Sequence, residues 1–389
     1  MMLTKSSKLV VKFGNIAIVS LIFGLASCTQ APAPTQTEGR EDSSQTEASQ
    51  RPQVVATSTV LCDLTQQIAQ DTIDLTCLMQ PGQDPHIYEP RPSDRRAIED
   101  ADLVLYGGYG FEPDLIQIIN ATQTSVPKVA VYEEAVPEPI MGDAHDHDHN
   151  GQSDHKDAAT GADHDHDHAE ATADHDHDHE HEHADTTTAN DRLDDHDHDT
   201  VDSVADPHIW HDAQNGVRMV DVIQTQLAQI MPDQANIYAQ HADVLSNDLN
   251  QLDSWIKAQV ATVPADARKL VTTHDSFRYF AQAYDFEVEG ALSGLSTDEK
   301  PSASRMTELV SLIKAANVKA IFPESTTNSQ LIEALARDAN VTVAEQALYV
   351  EGPGGDESSA PTYQTMLVSN TCTIVTALGG QCSQSDAPI

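Results

Sequence analysis

Asp206-Pro207-His208-Ile209-Trp210-His211-Asp212 follows directly on a long tract that alternates histidine with aspartate. Its first three residues repeat an earlier tripeptide, Asp84-Pro85-His86. Proline fixes φ and holds the residue before it extended, so each unit aims its histidine from a stiff turn. Two such units far apart in one chain point to two loops brought to one place. A third histidine, His274, closes the run Leu270-Val271-Thr272-Thr273. Three imidazoles on three separate loops, beside a His-rich tract, read as a zinc site.

Outward from this stretch, strands alternate with helices on both sides. Ahead of it, strands are expected over 54–56, 73–79, 103–106 and 128–132. Helices fall over 60–70, over 94–99 with Ser93 as cap, and over 113–120 opened by Pro113. Behind it come a helix over 215–229 and a long one over 233–260. In the long helix Leu245, Leu249, Leu252, Ile256 and Val260 form one apolar stripe. A second set follows, with strands over 269–273, 286–291, 319–323 and 341–344. Its helices fall over 276–284, 306–316, 329–338 and 363–378. The fold class is therefore α/β, with two lobes. Each lobe is a four-stranded, mainly parallel sheet flanked by helices. One long helix joins them, and in each lobe a candidate histidine lies where open α/β sheets bind ligands, beyond a strand's carboxyl end.

The chain of 389 residues carries a net charge of −41, which argues against nucleic acid as a partner. Residues 143–202 hold 21 acidic and two basic residues, so about half of that charge lies there. The same segment holds 14 histidines and no core-forming periodicity, and reads as an exposed, disordered insertion. It is expected to act as an accessory zinc loop through His145, His147, His149, His164, His166, His168, His175, His177, His179, His181, His183, His196 and His198. A solubilising linker is the plainer reading, which the Asp content fits and the histidines do not.

Residues 1–28 read as a lipoprotein signal peptide. Lys5, Lys8 and Lys12 precede an apolar stretch too short for a comfortable membrane span, which ends in Leu25-Ala26-Ser27-Cys28. Cys28 is the expected lipidation site, which places the chain in the periplasm or on the outer face of the cytoplasmic membrane, held by lipid alone. Residues 29–52 form a flexible tether. The expected divisions are an N-terminal lobe over 53–232, a linking helix over 233–262 and a C-terminal lobe over 263–389. Four cysteines remain in an oxidising compartment, and local geometry favours the disulfides Cys62–Cys77 and Cys372–Cys382.

Three imidazoles leave room for one more donor. Glu351 and Glu324 each follow a strand-like run and are candidates to complete the shell. Glu89 and Asp275 lie close in sequence to a candidate histidine, and both, with Glu324, are candidates either to orient a ring or to serve as alternative ligands. Each of these acids also reads as a solvated surface charge. His211 is a candidate for an outer position, and His241 reads as a helix-surface residue. Three histidines with an open position is also a catalytic geometry. No His-Glu-x-x-His helix motif and no nucleophile–base pair accompanies it, so the chain does not read as an enzyme. A metal buffer or adhesin that uses only the tract would not need the strand-end histidines.

Gly82-Gln83-Asp84-Pro85-His86-x-Tyr88-Glu89-Pro90, Asp206-Pro207-His208-Ile209-Trp210 and His274-Asp275-Ser276-Phe277-x-Tyr279-Phe280 together resemble the solute-binding proteins of zinc and manganese ABC transporters, the ZnuA/TroA type. The resemblance covers roughly residues 53–385. It implies two lobes with metal between them, and His86, His208 and His274 as ligands. Many members carry an Asp after the last strand as fourth ligand. Here that position is Glu351, or water takes the place. The implied function is a high-affinity zinc receptor that delivers Zn2+ to a permease and its ATPase, as a monomer. A manganese or iron receptor of the same build is the alternative.

Overall fold

The computed structural model describes residues 51–143, 203–298 and 300–389. The signal peptide, Cys28, most of the tether and all the tract histidines lie outside the described residues. Arg51 and Pro52 already belong to the folded body, because Arg51 pairs with Asp74 at 2.7 Å and the carbonyl of Pro52 accepts from the Asp74 N–H.

The N-terminal lobe opens with β1 (Gln53–Ala56), α1 (Thr59–Ala69) and β2 (Asp74–Cys77). Ser58 caps α1 by accepting from the Leu61 N–H, and Val60, Leu61, Leu64 and Ile68 form its buried face. Next come α2 (Pro92–Asp100), β3 (Leu103–Tyr106), α3 (Pro113–Ala121), β4 (Lys128–Ala130) and α4 (Val131–Ala135). The four strands form one parallel sheet in the order β2-β1-β3-β4. Two local expectations change. Ser93 lies inside α2, whose start is tied by the Asp94 carboxylate accepting from the Arg91 N–H at 2.7 Å. The strand expected over 128–132 stops at Ala130, since Val131, Tyr132 and Ala135 bury one helical face.

A short antiparallel pair, β5 (Met141–Asp143) and β6 (Ser203–Ala205), pairs Asp143 with Ser203, and sequence reading did not anticipate it. Then follow α5 (Ala213–Ile230) and α6 (Ala235–Val260). At 26 residues, α6 is about 39 Å long. Its whole expected stripe is buried, joined by Tyr238 and Ala242. It packs against α1 and α5 on one side of the molecule and on later helices on the other.

The C-terminal lobe contains β7 (Lys269–His274), α7 (Arg278–Tyr284), β8 (Glu287–Ser293), α8 (Ala303–Ala316), β9 (Ala320–Ile321), α9 (Gln330–Ala339), β10 (Thr342–Val343) and α10 (Tyr363–Ala377). Its strands form two parallel pairs, β7–β8 and β9–β10, rather than one continuous ladder. The Phe322 N–H donates to the Val271 carbonyl at 3.0 Å and sets the pairs side by side, in the order β8-β7-β9-β10. The ladder is thin because β9 and β10 are two residues each.

One apolar core runs through both lobes along α1, α5, α6 and α10, and each lobe has a smaller core on its outer face. Across the lobes the Asp63 carboxylate accepts from the Tyr363 N–H at 2.8 Å. Disulfides join Cys62 to Cys77 and Cys372 to Cys382, the local pairings expected from helix and strand lengths. Among the described residues no helix is long and apolar enough to cross a membrane.

A buried carboxylate makes the N-terminal lobe sensitive to pH. Oε1 of Glu112 accepts from the Thr57 hydroxyl at 2.6 Å and from the Gly107 N–H at 2.7 Å, while Oε2 has no partner. Burial pushes its pKa up to about 7. A folded-state pKa above the unfolded value means stability that is present below the unfolded pKa and lost as pH rises towards 7. The loss is of order 3 kcal/mol. Glu112→Gln is therefore expected to flatten this dependence. Denaturant midpoints at pH 5 and pH 8 check it, and an equal pH response in both proteins would contradict it.

Candidate metal centre

His86 sits in a single 3-10 turn, Pro85–Ile87, beyond β2. The Asp84 carboxylate accepts from its backbone N–H at 3.0 Å, and its ring meets Phe111 edge-on at 5.4 Å. His208 follows β6 in a segment wedged between the lobes. The Trp210 indole N–H donates to the Val350 carbonyl at 2.9 Å, and the Tyr363 hydroxyl donates to the Trp210 carbonyl at 2.7 Å. His274 is the last residue of β7. Glu351 follows Val350 on the loop that leads to α10.

These four side chains converge. His208 Nε2 lies 3.3 Å from His86 Nε2 and 3.2 Å from His274 Nε2. Glu351 Oε1 lies 3.2 Å from His274 Nε2 and 3.9 Å from His86 Nε2. A tetrahedral shell with bonds of about 2.0–2.1 Å holds its donors roughly 3.3–3.4 Å apart. Three of these separations match that shell, Glu351 stands back from His86, and all four donors lie within 4.8 Å of one another. All four residues are buried, and they are the group of possible metal ligands found among the described residues. Neither carboxylate oxygen of Glu351 has a hydrogen-bond partner, although the residue is only 4% exposed. A buried carboxylate with no hydrogen bond and only the His274 ring close by is costly, and a cation offsets that cost.

Burial, then the neighbouring imidazoles, hold His86 and His208 well below the usual histidine pKa, so both rings are neutral. Burial also disfavours charge on His274, but the Glu324 carboxylate outweighs it and lifts that ring to about 10. Burial raises Glu351 to about 8, against the attraction of His274. Protons therefore compete with an entering ion for these side chains.

The acids around this cluster take different places. Glu324 reaches the His274 ring, with its Oε2 2.7 Å from Nδ1 and its Oε1 accepting from the His274 backbone N–H at 2.8 Å. It lies behind the ring, outside the four donors, and an isolated bridge to Leu348 holds its backbone. Asp206 does the same for His208, with Oδ1 at 2.8 Å from Nδ1. Sequence reading missed Asp206, although the Asp-Pro-His repeat carried the signal. Glu89 is exposed. The Asp275 carboxylate accepts from the Arg278 guanidinium at 2.6 Å. His211 lies buried, stacked on Phe277 at 4.3 Å. His241 is half-buried and ties α6 to the end of α1, with Nδ1 2.8 Å from the Ile68 carbonyl.

The fold and the closed four-donor site define a metal-binding solute receptor. The profile of the ZnuA family, zinc-uptake complex component A (periplasmic), matches residues 54–377, and the chain belongs to this family. It is 29% identical over 333 residues to the zinc-binding protein TroA of Treponema pallidum, covering 84% of this chain and 89% of that one. It is 27% identical over 341 residues to the manganese-binding lipoprotein MntA of Halalkalibacterium halodurans, covering 87% and 93%. The solved structure of the T. pallidum periplasmic zinc-binding protein TroA superposes with a TM-score of 0.66, over 84% of this chain and 99% of that chain. The protein is thus the metal-binding solute-binding component of an ABC transporter and not an enzyme.

Proposed function

We propose that this chain is a zinc receptor. It captures Zn2+ outside the cytoplasm through His86, His208, His274 and Glu351, and delivers it to a membrane permease powered by an ATPase. Cys28 holds it to the membrane by lipid, and it works as a monomer. The observation that carries zinc is the donor set, since three imidazole nitrogens and one carboxylate oxygen lie within 4.8 Å of one another, with three of their separations at 3.2–3.3 Å. Manganese is the second reading. MntA is named for that metal, and both oxygens of Glu351 are free for a harder, more highly coordinated ion. Competitive titration of zinc against manganese decides between them. Zinc is expected to displace manganese from one site, and tighter manganese binding would overturn the reading.

The tract is proposed as an accessory collector that feeds this site. Because Asp143 pairs with Ser203, a two-residue Asn-Gly turn in place of residues 144–202 closes β5–β6 as a hairpin. That variant is expected to lose several weak zinc sites and keep one tight one, with the unfolding transition intact. Calorimetric titration checks this, and loss of the tight site would mean that the tract supplies its ligands.

A further inference from the structure

The three imidazoles are held in three different ways. His86 has a carboxylate on its backbone N–H alone. Asp206 uses one oxygen for both of its bonds, with Oδ1 2.9 Å from the His208 backbone nitrogen and 2.8 Å from ring Nδ1. Its other oxygen, Oδ2, is buried without a hydrogen-bond partner. Glu324 uses both oxygens, Oε1 for the His274 backbone N–H and Oε2 for Nδ1. His274 and Glu324 are 0% and 3% exposed, so water does not compete for these bonds.

We propose that Glu324 is a positioning residue that fixes the tautomer of His274, and so decides whether Nε2 is available to the metal. A carboxylate offers two accepting oxygens, so it holds a ring proton on Nδ1 and leaves Nε2 as the nitrogen that gives up its proton to the metal. Both oxygens are needed for this. The backbone N–H of His274 is fixed by β7 and cannot turn away. An amide at position 324 has one accepting edge and one donating edge. Its oxygen stays with the backbone N–H, and its NH2 then faces Nδ1. Nδ1 becomes an acceptor, the ring proton moves to Nε2, and that proton points into the metal site.

Position 206 behaves differently for the same reason. An asparagine keeps the single oxygen that accepts both bonds, and its NH2 falls where the unpartnered Oδ2 lies. The tautomer of His208 survives. The two isosteric amides therefore have unequal effects. Alanine at 324 leaves the His274 tautomers to equilibrate, so it retains more affinity than glutamine does. A side chain that only filled space would give the opposite order.

The inference rests on the four-ligand site proposed above, and the test separates the two. Zinc affinity of the tight site is measured in the full mature chain by competition with a chelator. Long-range nitrogen–proton NMR of the histidine rings reports each tautomer. His274→Gln comes first, because it identifies the His274 signals. If it leaves the tight affinity unchanged, the four-ligand reading fails, and the proposal with it. With that reading intact, Glu324→Gln is expected to weaken zinc about 100-fold or more and to move the ring proton to Nε2. Glu324→Ala is expected to lose less, and Asp206→Asn about tenfold or less with Nδ1–H kept. A milder effect of glutamine than of alanine, or Nδ1–H retained in Glu324→Gln, overturns the proposal. If the glutamine variant fails to fold, the zinc-loaded wild type and Glu324→Ala decide it. Nδ1–H on His274, with a larger loss at 324 than in Asp206→Asn, supports it. Nε2–H, or an equal loss, overturns it.

Discussion

His274→Glu, made in the chain with an Asn-Gly turn in place of residues 144–202, is expected to weaken zinc binding roughly 100-fold or more, on the order of 3 kcal/mol. Manganese binding should change much less. The cause is donor hardness, because imidazole nitrogen suits Zn2+ and carboxylate oxygen suits Mn2+. A second effect acts in the same direction. Glu324 lies 2.7 Å from Nδ1 of the ring it serves, so a carboxylate in place of the ring sets two buried acids face to face. One of them must take up a proton, and zinc binding then becomes more pH-dependent. The tract is absent from this test because the zinc sites proposed for its histidines would mask the change. Competitive titration of both metals checks it, and an unchanged zinc-to-manganese ratio would show that His274 does not set the preference.

Gly352→Ala is expected to remove most of the tight binding without touching a donor. Gly352 has φ +136, a conformation that other residues rarely adopt. A Cβ there would lie 2.1 Å from Thr59 Oγ1 and 3.2 Å from Val60 Cγ2, both at the start of α1. Thr59 must turn its hydroxyl aside or the loop must back away from α1, and the strained φ favours a shift of the loop that carries Glu351. Strain and overlap together cost about 2–4 kcal/mol. Zinc affinity should fall at least tenfold and the unfolding midpoint should drop. Adding Thr59→Gly relieves the overlap but not the φ, so rescue should be partial. Wild-type affinity in Gly352→Ala would show that the loop tolerates displacement and that its fit against α1 does not place Glu351.

Much of the architecture was legible because its signals are periodic or local. The stripe from Leu245 to Val260 announced α6, and the strand–helix alternation announced two parallel sheets. The two Asp-Pro-His units placed His86 and His208 on stiff turns, and the structure brings both to His274. Short non-periodic elements escaped. Three residues on each side of the tract, pairing as β5 and β6, carry no pattern of their own. The apolar pair Val131-Tyr132 fits a strand or a helix equally until its burial is known. The acids were the hardest to place. Glu89 and Asp275 stand beside candidate histidines in sequence, yet one is exposed and the other takes Arg278. Glu324 reaches His274 from 50 residues away, a distance no local spacing reveals.

The most direct test of the metal assignment is anomalous diffraction at the zinc and manganese absorption edges, on crystals of protein purified from its native compartment. A single zinc peak is expected among His86 Nε2, His208 Nε2, His274 Nε2 and the Glu351 carboxylate, about 2.0–2.1 Å from each nitrogen. A manganese peak at that point would contradict the choice of metal, and an ordered ion bound only elsewhere would contradict the site.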